Sequence, residues 1–190
     1  MRTTKSETEF DARRRPTAPL VERLLELSAK GDRGALAALR SGLGKPPGSA
    51  VRMLPLVAPY LESDYGPRTQ AAFVIASLFA THPMQAEAGS LGASLRWAVR
   101  EKHNDPGVET RLVAALDADP EDLPRHLQGL ISLCQSANAP VDWHALYWDL
   151  CALLGDQEQA RERVRVRWAR DFWHKEERED EDPNDESQDR

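Results

Sequence analysis

Apolar residues return every three or four positions along most of this chain and almost nowhere at every second one, which is the spacing of helices packed by one face. Leu20, Val21, Leu24, Leu25 and Leu27 form the first such face, and Gly31 is placed to end it. A short helix over residues 32–41 turns Leu36 and Leu39 inward. It is closed by Gly42, Gly44, Pro46, Pro47 and Gly48, since glycine and proline together forbid continuation. Residues 51–61 are apolar but hold Pro55 and Pro59, so an interrupted helix is expected. Pro67 suits a first helical turn, and Phe73, Val74, Ile75, Leu78 and Phe79 after it mark the centre of the core. Ser90 is placed to cap a helix to about His103, Pro106 opens one through Leu116, and Asp122 or Leu123 begins one reaching Ala137. Asp142 caps a helix to Leu154, and Asp156 opens the last, which meets no Gly or Pro until Pro183. No alternating strand or tight-hairpin dipeptide interrupts this order. The expected fold is an all-α, single-domain bundle of about eight helices.

Length and composition agree with one core. At 190 residues, 41% hydrophobic and 29% charged, the chain is sized for one globular domain. Charge divides it further. The formal net charge is −6, yet residues 176–190 carry nine acidic and two basic side chains, so the remainder sits near +1. The expected layout is a flexible basic arm over 1–16, which includes Arg13, Arg14 and Arg15, a helical domain over 17–175, and a disordered acidic tail over 176–190. The polar start lacks the apolar stretch of a secretion signal, and the longest apolar run, residues 71–80, is too short to span a bilayer. A cytoplasmic protein without a membrane partner is expected. Cys134 and Cys151 fall in apolar helical segments and read as two buried thiols.

The chemistry of enzymes is hard to assemble from these residues. Gly42, Gly44 and Lys45 resemble the end of a phosphate loop, but Pro46 stands where the magnesium-holding hydroxyl belongs and no strand precedes it. Ser90 between Gly89 and Gly92 lacks the strand and spacing of a nucleophile elbow. His82, His103, His126, His144 and His174 are scattered, and the acidic tail has no glycine or alternating ligands of a calcium loop. No catalytic residue, metal or cofactor is expected.

Rows of arginine are the stronger signal. At about 100° per residue, Arg163, Arg167, Arg170 and His174 fall on one face of the last helix, while Ala160, Val164, Trp168 and Phe172 line another. Arg96, Arg100 and His103 form a second stripe, set apart from Leu91, Leu95 and Val99. The guanidinium fork donates paired hydrogen bonds to phosphate and keeps its charge at any cellular pH. Trp97 and Trp173 lie near as stacking or packing aromatics, whereas Trp143 and Trp148 read as core or interface. An ordinary solvated face bearing local ion pairs is the plain alternative. Lys45 is counted with the candidate nucleic-acid contacts.

The order of segments resembles the CasB family, the small subunit of the type I-E CRISPR Cascade complex. The resemblance runs through Leu39 and Arg40 with Gly42, Leu54-Pro-Leu-Val-Ala-Pro59, Phe79 to Pro83, and Gly89-Ser-Leu-Gly92 with Arg96. It continues through Asp122-Leu-Pro-Arg-His126, Pro140-Val-Asp-Trp143 and Arg167-Trp-Ala-Arg-Asp-Phe-Trp173. It implies an all-helical, non-catalytic subunit that packs beside a second copy of itself against the crRNA-bearing backbone and the large subunit, and holds the displaced non-target strand of target DNA during R-loop formation. It further implies that Arg40, Arg96, Arg111, Arg125, Arg167 and Arg170 stand at basic positions of the family. Ser41 and Thr110 depart from the pattern where a further basic residue is common, and the acidic tail lies outside it. A helical protein-protein adaptor whose arginines serve only ion pairs remains the alternative.

Overall fold

The computed structural model describes residues 17–101 and 106–174. The arm over 1–16, the tail over 176–190 and His103 lie outside the described residues. Nine α-helices are found among those described: α1 Pro19–Ala29, α2 Arg33–Arg40, α3 Leu54–Val57, α4 Pro67–Phe79, α5 Leu91–Glu101, α6 Pro106–Asp117, α7 Leu123–Ser136, α8 Trp143–Leu154 and α9 Glu158–Trp173. The interrupted segment is realised as α3 between two 3₁₀ turns, Val51–Met53 and Ala58–Tyr60, because Pro55 and Pro59 each withhold a backbone donor. One bridge between Gln85 and Val141 is the sole β pairing among the described residues.

Local chemistry sets most helix starts. Asp32 accepts from the Ala35 N–H (2.9 Å) and Asp142 from the Ala145 N–H (3.0 Å), each satisfying an amide that the first turn leaves without a partner. Pro67 and Pro106 occupy first-turn positions, where a missing N–H costs nothing. The last helix begins after Gln157, slightly later than Asp156 predicts.

α4 is the hub. Every residue from Ala71 to Phe79 is buried, and Ser77, the one polar side chain in that run, donates back to the Val74 carbonyl (2.8 Å), so this stretch has no solvated face. It packs chiefly on α8, and also on α1, α2, α3 and α7. Trp143 of α8 is wholly buried edge-on to Phe79, with ring centroids 5.5 Å apart. The other group of helices gathers α5, α6 and α7, with α9 laid across α5 and against α8. Cys134 is buried and Cys151 half-buried, both as free thiols. No helix among the described residues is long and apolar enough to cross a membrane.

Candidate nucleic-acid interface

The two segments that carry the arginine stripes pack on each other. Gly92 of α5 meets the backbone of α9 so closely that a Cβ there would lie 2.0 Å from the Trp168 carbonyl oxygen. Beside this crossing the Ser90 hydroxyl donates to Asp171 (2.7 Å) and only weakly caps the Ala93 N–H at 3.4 Å, so its main role is to tie the start of α5 to α9. Arg96 reaches over and donates to the His174 carbonyl (3.1 Å), placing a cation at the C-terminal, electronegative end of α9. The stripes are thus joined at one end of α9. Arg100 is exposed one turn beyond Arg96.

Within the α9 stripe the three arginines have different surroundings. Arg163 and Arg170 are exposed, and Arg170 holds its neighbour Asp171 at 3.2 Å. Arg167 turns inward, where it pairs with Asp149 of α8, a carboxylate whose side chain is fully buried. The Trp168 indole N–H donates to the other oxygen of Asp149 (2.7 Å). Asp149 therefore binds two successive residues of α9, and Arg167 neutralises a charge that burial makes costly. A shallow depression along the outer face is lined by Gln159, Glu162, Arg163, Val166, Arg167 and Arg170, so one carboxylate stands among the cations.

The remaining candidates are more dispersed. Arg111 is exposed on α6, and Arg125 is exposed on α7 with Asp122 at 3.3 Å. Such exposed pairs contribute at most about 1 kcal/mol, so a phosphate can displace the carboxylate. Arg40 ends α2 and Lys45 lies in the turn after it, both exposed, in the group of helices around α4 rather than on the α5–α9 side. Trp97 and Trp173 are both exposed, the latter donating from its indole to Glu109 of α6 (3.2 Å). Sequence reasoning missed Asp149 and Asp171. Asp149 did leave a signal, as the only acidic residue in the apolar helix Trp143–Leu154. A charge in that setting requires a partner from another element.

Among the described residues no three His, Cys, Asp or Glu side chains stand together as a metal site. What the fold does assemble is an all-α body with a basic outer face along one packed helix pair, which is the class of a helical surface-presenting protein. The profile of the CRISPR-associated protein Cse2 family matches residues 35–173, and the chain belongs to that family. A Cse2 protein of Thermus thermophilus is 28% identical over 141 residues, covering 73% of this chain and 78% of that relative. The crystal structure of CasB from Thermus thermophilus superposes with a TM-score of 0.68 at 26% identity, over 84% of this chain and 99% of that one. A chain of a CRISPR RNA-guided surveillance complex superposes with a TM-score of 0.66 at 28% identity, over 80% and 91%.

Proposed function

We propose that this chain is a non-catalytic subunit of a type I-E CRISPR Cascade complex, bracing the crRNA-guided assembly and holding the displaced non-target DNA strand while the target is open. Its partners in this reading are the backbone and large subunits, a second copy of itself, crRNA and target DNA, in the cytoplasm. Membership of the Cse2 family and likeness to a chain of an RNA-guided surveillance complex support the assembly. The observation that carries the DNA role is the exposed pair Arg163 and Arg170 on α9, continued by Arg96 and Arg100 across the α5 contact. Exchange of a DNA duplex for an RNA–DNA hybrid is nearly balanced in energy, so a few backbone contacts to the displaced strand shift the equilibrium. Arginine supplies such contacts without reading sequence.

Replacing Arg163 and Arg170 together by alanine tests this and spares the Arg167 pair on which the helix depends. The complex should assemble with normal composition, its opened target should reclose faster, and the displaced strand should react more with a single-strand probe. Unchanged protection of that strand in an intact complex would overturn the DNA role. The adaptor reading draws support from the local pairing of Arg125 and Arg170 with carboxylates. It predicts instead that the double variant loses the subunit from the assembly.

A further inference from the structure

We propose that the exposed side of α2 and the turns after it form a second phosphate-binding surface, built on Arg33, Arg40, Lys45 and Arg52, which takes the backbone of duplex DNA. This surface is separate from the α9 face and stands without the strand-holding role. Residues 31–61 carry those four cations against the single carboxylate of Asp32. That carboxylate is already taken by the Ala35 N–H (2.9 Å). None of the four cationic side chains makes an ion pair or hydrogen bond among the described residues. On the α9 face, by contrast, Arg167 and Arg170 are held by Asp149 and Asp171, and Glu162 lines the same depression. The carboxylates that flank the segment in sequence, Glu26 and Glu62, are held by Arg23 (3.0 Å) and Arg68. The charge of the α2 surface is therefore left for a ligand.

Local structure gathers these cations. Arg33 and Arg40 stand seven residues apart on one face of α2, about 10 Å along its axis at 1.5 Å per residue. The Val51–Met53 turn is packed against the end of that helix, so closely that a Cβ on Gly42 would collide with the Met53 sulfur. Arg52 is thus carried to the end of α2 that bears Arg40. Lys45 lies in the turn between them, closed by its N–H to the Gly42 carbonyl (3.1 Å). All four residues are exposed. Residues 31–59 contain no aromatic side chain. The surface therefore offers neither rings on which unpaired bases stack nor the Trp and Tyr anchors of protein interfaces. Cations alone suit a ligand whose bases are turned inward, and duplex DNA presents one phosphate charge per about 1.7 Å of its axis.

Fluorescence polarisation of the full chain with a labelled duplex, and separately with labelled oligo(dT), tests the assignment in R33A/R40A/K45A/R52A and in R163A/R170A. The fourfold variant should keep its melting temperature and lose about tenfold or more in duplex affinity at low salt. Its plot of log affinity against log salt should become shallower by about 2 to 4, at roughly −0.9 for each phosphate contact. R163A/R170A should cost less duplex affinity than the fourfold variant does. If the fourfold variant melts lower, R40Q/R52Q decides in its place, with about half the change in slope. Unchanged duplex affinity overturns the proposal, and so does an equal fall for duplex and oligo(dT), which would mark net charge alone. Polyglutamate held as tightly as duplex through the same four residues would overturn nucleic acid as the occupant and assign an acidic protein instead.

Discussion

Arg167 and its neighbours Arg163 and Arg170 share a stripe but not an energetic role. Asp149 is buried to 1% exposure and receives Arg167 and the Trp168 indole together, so deleting the guanidinium leaves a buried carboxylate without its cation. Breaking a buried pair costs about 3–5 kcal/mol, and Arg167 is about a quarter exposed, so R167A is expected to lose about 2–3 kcal/mol. R163A and R170A should each stay within about 0.5 kcal/mol of the parent. Urea unfolding of the three variants checks this, and the loss from R167A should shrink in a D149N background, where no buried charge remains. The thiols yield a second residue-scale expectation. Burial pushes Cys151 up to about 11 and Cys134 up to about 12, so both stay protonated near neutral pH. Because the thiolate is the nucleophile, the shift alone slows Cys151 alkylation at pH 8 by about a hundredfold relative to an ordinary thiol. Mass spectrometry after iodoacetamide should show both sites slow in the native protein and fast in denaturant.

Two glycines within helices separate propensity from packing at the scale of elements. Gly129 lies in α7 with nothing within 4 Å of a Cβ built on it, so G129A removes backbone entropy from the unfolded chain and adds no clash. It is expected to stabilise by about 0.5–1 kcal/mol. Gly92 lies in α5, where the same methyl would fall on the Trp168 backbone. A backbone cannot swing aside as a side chain can, so G92A must force α9 away from α5 and strain the Ser90–Asp171 and Arg96–His174 contacts. A loss of about 3 kcal/mol or more is expected, at the upper end of overpacking costs. Thermal melts of both variants decide it, and a stable G92A protein would mean that the α5–α9 crossing is looser than described.

Few phosphate contacts are available to the whole molecule. In the proposed strand-holding role, a nearly neutral body with a face built on Arg96, Arg100, Arg163 and Arg170 would neutralise about three or four phosphates of a single strand. At roughly −0.7 per phosphate the logarithm of affinity should fall against the logarithm of salt with a slope of about −2 to −3. A polarisation titration in increasing salt measures it. A slope near zero would assign binding to stacking on Trp97 and Trp173 rather than to charge.

Helix boundaries were legible along the chain because their causes are local. Asp32 and Asp142 cap from three residues away, Pro67 and Pro106 need only their own rings, and Pro55 with Pro59 divide a segment wherever it packs. The nearly continuous apolar run of α4 likewise announced its burial on all sides, and the ordered blocks that resemble the CasB small subunit agree with the family the chain belongs to. The division of labour within the arginine stripe was not legible. Periodicity places Arg163, Arg167 and Arg170 on one side of their own axis, but it does not say which helix lies beside that axis or at what rotation. Asp149 is 18 positions from Arg167, Ser90 is 81 from Asp171, and Arg96 is 78 from His174. Those meetings are set by the close approach at Gly92 and the packing of α9 on α8, so tertiary structure alone decided which arginines support the helix and which face outward.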